Sequence, residues 1–208
     1  MDGCYKTEQE AFWAGAFGDE YAERNAGEAL IASNLYLFSK MMARSAKITS
    51  TLELGANIGL NLRALKRLFP QAQLAAVEIN QNAAKKLKEW GKAEVYQESI
   101  FDFMPSRQWD FVFTSGVMIH INPEMLPFLY DLMYRASSRY IGVIEYYNPT
   151  PVGIFYRGHE NKLFKRDFAG EILDRFPGLS LVDYGFIYHR DPNFPQDDPN
   201  WFLLEKRT

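Results

Sequence analysis

The chain has 208 residues, 47% of them apolar, and a formal net charge of −3. That length suits one α/β domain with a substantial core and a short extension, and the mild acidity gives no electrostatic reason to expect nucleic acid as a partner. The single cysteine, Cys4, rules out a disulfide framework within the chain, no apolar run approaches the roughly 18 residues of a membrane span, and no signal-peptide pattern opens the sequence. The expectation is a soluble, cytoplasmic protein with no membrane partner. Aromatic residues reach 15% and gather near the N-terminus, along residues 101–113 and in the last third. Such clusters fill cores and also wall ligand pockets.

Residues 1–49 read as a helical extension or lid. Leu30, Ile31, Asn34, Leu35 and Phe38 recur at three- and four-residue steps, and Gly15, Gly18 and Gly27 divide the region. Trp13, Phe17, Tyr21 and Arg24 fall on nearby turns of one helix. Residues 50–208 then alternate. Strands are expected at 50–54, 74–79, 93–98, 109–114, 139–146, 180–188 and 200–206. Helices are expected at 60–69, 80–90, 123–136 and 161–176. Asn122-Pro123-Glu124 opens the third of these, with Asn as cap and Pro at the first helical position. The Pro-rich stretch 191–199 joins the last two strands as a loop. This alternation predicts a mostly parallel sheet with helices on both faces, and a ligand outside the C-terminal strand ends.

The sharpest motif lies at the first strand. Thr51-Leu52-Glu53-Leu54-Gly55-Ala56-Asn57-Ile58-Gly59 is an apolar run ending in an acid, followed by a Gly-x-Asn-x-Gly turn. Gly55 can take φ > 0, and Gly59 lets the helix start lie close to the strand. Glu78 ends the second strand 19 residues after Gly59, where a carboxylate can accept bonds from both ribose hydroxyls. A dinucleotide fingerprint reads GxGxxG. Asn57 and the missing third glycine argue against a nicotinamide-dependent oxidoreductase.

The motif resembles motif I of the class I S-adenosylmethionine-dependent methyltransferases. Glu98-Ser99-Ile100-Phe101-Asp102, Trp109-Asp110-Phe111-Val112 and Gly116-Val117-Met118-Ile119-His120-Ile121 resemble its later motifs, in order. The resemblance implies a Rossmann-like seven-stranded sheet, mostly parallel with an antiparallel last strand, and S-adenosylmethionine as cofactor. It implies a cofactor set of Glu53, Gly55, Asn57, Gly59, Glu78, Ser99, Ile100 and Thr114. Glu53 would orient the amino-acid end, and Arg24 would pair with its carboxylate. The family's usual acid after the third strand is replaced or shifted here, with Ser99 or Asp102 in its place. The segments Phe12–Tyr21 and Glu145–Pro151, with Tyr156-Arg157-Gly158-His159, are similar to methyltransferases encoded with pseudaminic acid biosynthesis genes. That implies a small acceptor of anionic, sugar-acid type.

His120, Glu145 and His159 are the candidate catalytic residues, His120 as base or as a packing histidine. Tyr146, Asn148, Arg157 and Lys162 are the candidate substrate residues. His189 beside Arg190 and Asp191 suits a surface ion pair, and no metal-ligand spacing is present. A non-catalytic cofactor-binding subunit is the competing function.

Overall fold

The computed structural model describes residues 5–25 and 27–207, so Cys4 lies outside the described residues. Seven strands form one sheet: β1 (Ser50–Leu54), β2 (Gln73–Val77), β3 (Glu94–Tyr96), β4 (Trp109–Ser115), β5 (Ser137–Glu145), β8 (Leu179–Phe186) and β9 (Asn200–Lys206). Their order is β3-β2-β1-β4-β5-β9-β8. β1 to β5 pair in parallel, and β9 runs antiparallel to both β5 and β8. All seven expected strands are in the sheet. The chain leaves β1 toward β2 and β3 on one side and returns to β4 and β5 on the other. The reversal opens a crevice above the C-terminal ends of β1 and β4.

Period-two alternation divides the core in two. Leu52, Leu54, Val112, Ile141 and Val143 face one side, against α6 (Leu126–Ala136) and α7 (Phe168–Arg175). Phe111, Phe113, Tyr140 and Leu203 face the other, against α3 (Glu28–Met41) and α4 (Leu60–Leu68), with Leu87 of α5 (Gln81–Trp90). Strands covered on both faces read as continuous apolar runs, which is why β1, β2 and β4 were visible in the sequence. No helix among the described residues is long and apolar enough to cross a membrane.

The extension holds two short helices before α3, namely α1 (Glu8–Ala14) and α2 (Ala16–Arg24). Gly15 separates them and Gly27 caps α3, but Gly18 lies inside α2 rather than breaking it. Trp13 and Phe17 therefore sit on different helices, touching across the Gly15 break with ring centroids 5.3 Å apart. The helix expected at 123–136 starts as a 3-10 turn, Pro123–Met125, whose Glu124 N–H donates to Asn122 Oδ1 at 3.0 Å.

The stretch 161–176 departs from expectation. Leu163, Phe164, Phe168 and Ile172 fit helical steps, yet only the second half is helical. Residues 159–165 form β7 (His159–Lys165), paired antiparallel with β6 (Val152–Tyr156) as a separate hairpin. Arg157 and Gly158 turn it with φ of 48° and 87°, the double left-handed conformation of a tight hairpin turn. Asp167 then starts α7 by accepting from Gly170 N–H at 2.8 Å.

Candidate functional site

The turn after β1 is fixed by its backbone. The N–H groups of Gly55 and Ala56 donate to the Val77 carbonyl at 2.8 and 3.1 Å. Gly55 has φ of 77°, and a Cβ there would lie 2.6 Å from Val117 Cγ2. Asn57 follows with φ of 49°, a conformation that Asn tolerates better than most residues. Its N–H donates to Glu78 Oε2 at 2.6 Å, while Glu78 Oε1 accepts from Asn80 N–H at 2.7 Å. Glu78 thus ties the β1 turn to the end of β2. Burial pushes its carboxyl up, against the pull of the backbone bonds from Asn80 and Asn57.

Glu53 is 1% exposed. Its Oε1 accepts from Asn61 Nδ2 at 2.7 Å, and its Oε2 has no partner among the described residues. Burial pushes this carboxyl up to about 8, with the Asn61 bond lowering it and the Glu78 charge raising it. Asn57 Oδ1 is likewise buried without a partner. Buried acceptors of this kind are uncommon and point to a missing donor.

These groups line a cavity of about 570 Å³ at the C-terminal strand ends, within the range of small-molecule sites. Ser99, Ile100, His120, Glu145, Tyr146 and Arg157 line it too. Glu145, 2% exposed, accepts from the N–H groups of Val117 and Met118, both at 3.1 Å, and of Ile119 at 3.4 Å. It holds the turn after β4 in shape. Burial pushes its carboxyl up to about 7, opposed by the Met118 and Val117 bonds. His120 is buried, with its ring near Trp13 at 4.6 Å and Tyr156 at 5.2 Å. Its Nδ1 lies 2.5 Å from the Lys162 carbonyl. A carbonyl only accepts, so Nδ1 carries the proton and Nε2 keeps the lone pair. Burial holds this imidazole down at about 4, outweighing the Lys162 bond.

A cover closes the cavity from above. Lys162 Nζ pairs with Glu8 at 3.0 Å, and Gln9 Nε2 donates to the Asn161 carbonyl at 3.0 Å, joining α1 to β7. Asn80 Nδ2 donates to Asp19 at 2.9 Å, joining β2's end to α2.

Several predicted site residues lie off the cavity. Thr114 is fully buried beneath it, and Ser115, Gly116 and Val117 line it instead. Gly59, with φ of 79°, packs toward α5, where a Cβ would meet Leu87 Cδ1 at 2.3 Å. Arg24 pairs with Glu20 at 3.9 Å and lies over the Phe17 ring. His159 is exposed and packs edge-on to Phe12 at 5.1 Å. Asn148 bonds to Thr150 within its own turn, and Lys162 is taken by Glu8. His189, which does line the cavity, pairs with Asp198, not Arg190 or Asp191, at 2.7 Å. Among residues the sequence did not single out, Glu10, Asn61, Gln196 and Asp197 line the cavity. Thr7 and Glu10 carry capping-box spacing, a readable signal for a helix start though not for a site.

No protein-family model matches the chain, and no curated protein matches it in sequence. Solved structures do match. Magnesium protoporphyrin IX methyltransferase (ChlM) from Synechocystis PCC 6803, with bound SAM, superposes with a TM-score of 0.70 at 12% identity, over 99% of this chain and 100% of that one. The plantazolicin methyltransferase BpumL, in complex with a pentazolic desmethylPZN analog and SAH, gives 0.66 at 11% identity, over 96% and 95%. This chain has the class I methyltransferase fold. A further S-adenosylmethionine-dependent methyltransferase, from Clostridium acetobutylicum ATCC 824, gives 0.64 at 11% identity, over 92% and 98%. The seven-stranded order with β9 reversed fits that fold. At these identities the likeness concerns architecture.

Proposed function

We propose that the chain is an enzyme that binds S-adenosylmethionine and transfers its methyl group to a small polar acceptor. The observation that carries this reading is the pair of buried acids on one cavity, Glu78 clamped by two backbone N–H groups and Glu53 with an unpartnered oxygen. Each Glu78 oxygen uses one lone pair on the backbone and keeps another, enough for two vicinal ribose hydroxyls. Glu53 Oε2 suits an ammonium group, which would supply the donor it lacks and favour its ionised form.

When bound, the cofactor supplies a methyl group on a positively charged sulfur, open to in-line displacement. The protein's share is mainly positioning. Glu145 fixes the turn after β4. His120, neutral with its lone pair on Nε2, suits a hydrogen-bond acceptor that orients the acceptor molecule. A base held near 4 takes a proton from a hydroxyl poorly, so orientation fits His120 better than proton abstraction. The cover of α1, α2 and the β6–β7 hairpin limits water.

We assign the acceptor to the end walled by Tyr146, Tyr156 and Arg157. Of the two cations expected to meet an anionic acceptor, Arg157 alone supports that role, since Lys162 is paired with Glu8. The sugar-acid class, linked to pseudaminic acid, rests on the sequence resemblance. The test is S-adenosylhomocysteine release with pseudaminic acid and its nucleotide conjugate as acceptors. Turnover with either supports the sugar reading. Cofactor binding without turnover on any acceptor of a wider polar panel favours the non-catalytic subunit.

A further inference from the structure

We infer that Glu10, on the N-terminal helix α1, reads the edge of the cofactor's nucleobase; the inference rests on the cofactor reading above. Sheet order sets the direction. β2 lies between β1 and β3, so a nucleoside with its ribose on Glu78 extends its base toward one flank or the other. The β1 flank offers Glu53, Asn57 and Asn61, a polar surface suited to a charged amino-acid end. The β3 flank offers Ile79, Ile100 and Phe101, apolar surface suited to a flat heterocycle. The base belongs on the β3 flank.

An adenine there presents an exocyclic amine, which donates and must meet an acceptor. The loop after β3 has already committed its nearest polar groups. Ser99 Oγ accepts from Phe101 N–H at 3.0 Å and donates to Glu10 Oε1. Asp102 is exposed and paired with Lys6 at 2.6 Å, and it does not line the cavity. Two acceptors on α1 line the cavity: Gln9 Oε1, whose amide is tied to the Asn161 carbonyl of β7, and Glu10, which is 7% exposed and tied to this loop through Ser99. Glu10 Oε2 accepts from the N–H groups of Lys6 at 2.6 Å and Thr7 at 3.0 Å. Its Oε1 holds Ser99 and retains a second lone pair. Lys6 Nζ also donates to the Phe101 carbonyl at 2.7 Å, fastening the start of α1 to this loop. The base-reading site is thus assembled from segments 89 positions apart. It is complete only while α1 is docked.

The test compares two probes by calorimetry, S-adenosylhomocysteine and its purine-riboside analogue, in which a hydrogen replaces the amine and N1 is unchanged. The wild type should prefer the adenosyl compound by about 10- to 100-fold, the worth of a hydrogen bond to a charged group. Glu10→Gln keeps the helix start, since Gln serves in a capping box. With its oxygen kept on the Lys6 and Thr7 N–H groups, its NH2 faces the base and offers the amine no acceptor, so the preference should fall to within about threefold or reverse. Glu8→Ala removes the α1–β7 ion pair without touching the β3 flank, and should leave the preference unchanged. Equal affinity of the wild type for the two probes, or an undiminished preference in Glu10→Gln, would overturn the inference. So would a preference lost equally in Glu8→Ala, which would point to helix docking alone. Failure of the wild type to bind S-adenosylhomocysteine at all would overturn the cofactor reading itself.

Discussion

The turn after β1 and the cover above it enclose one cavity by different physical means. Below, the groups come from one continuous βαβ unit and are fixed by short bonds local to it, Gly55 N–H to the Val77 carbonyl at 2.8 Å and Asn57 N–H to Glu78 at 2.6 Å. Above, α1 meets β7 through an ion pair whose Glu8 side chain is 62% exposed, and an exposed His159 leans on Phe12. The Lys162 partner of Glu8 is only 10% exposed, so the pair is half-buried. The floor is therefore one locally bonded unit, while the cover is held by contacts between segments distant in the chain, Glu8 to Lys162, Glu10 to Ser99 and Lys6 to the Phe101 carbonyl.

Variants can break that contrast. Gly55→Val should have the largest effect. It puts a β-branched residue at φ of 77° and a Cβ 2.6 Å from Val117, so cofactor binding should fall below detection in calorimetry. Normal binding would show that this turn is not the receptor. Glu78→Ala should weaken cofactor binding by about 1.5–3 kcal/mol, the range for hydrogen bonds to a charged group. It also frees the Asn57 turn, so the larger figure is expected.

Gly18→Ala addresses the cover. A Cβ there would lie 1.9 Å from the Trp13 carbonyl oxygen and 2.9 Å from Asn80 Nδ2, so α1 and α2 must part, at a cost of about 1–3 kcal/mol. Hydrogen exchange should quicken over residues 8–24 and stay unchanged in β1 and β2. Uniform quickening would mean that floor and cover are one cooperative unit.

Glu53 provides a pH test of the floor. Burial raises its carboxyl from 4.5 to about 8. Between those values the folded chain binds more protons than the unfolded one, so this group lowers stability as pH rises. A cationic ligand favours the ionised form. Cofactor affinity should then increase from about pH 6 to 8, by at most about tenfold per unit, with a proton released on binding. Glu53→Gln should flatten that profile. Arg157→Ala should have the smallest effect, raising the acceptor KM about three- to tenfold while leaving cofactor affinity unchanged.

The same contrast explains what the sequence made legible. Glu53, Gly55, Asn57 and Glu78 lie close along the chain, and their spacing follows from strand–turn–helix geometry, so local pattern located them. β1, β2 and β4 are readable because burial on both faces leaves continuous apolar runs. The cover was not readable in this way. Lys162 has the charge of a ligand-binding residue, but its partner Glu8 lies far away in sequence, and no local pattern announces that pairing. Glu10 carries in the sequence only the spacing of a capping box with Thr7, because capping is local, whereas its contact with Ser99 is a product of the fold. The end of the hairpin at 152–165 carries a helical pattern in the sequence because Leu163, Phe164, Phe168 and Ile172 satisfy helical spacing across the boundary set by Asp167.

Calorimetric titration of the wild-type chain with S-adenosylhomocysteine and, separately, with NAD tests the central claim most directly. The cofactor reading predicts saturable binding of S-adenosylhomocysteine at one site per chain and no binding of NAD. Saturable binding of NAD with no response to S-adenosylhomocysteine would contradict it.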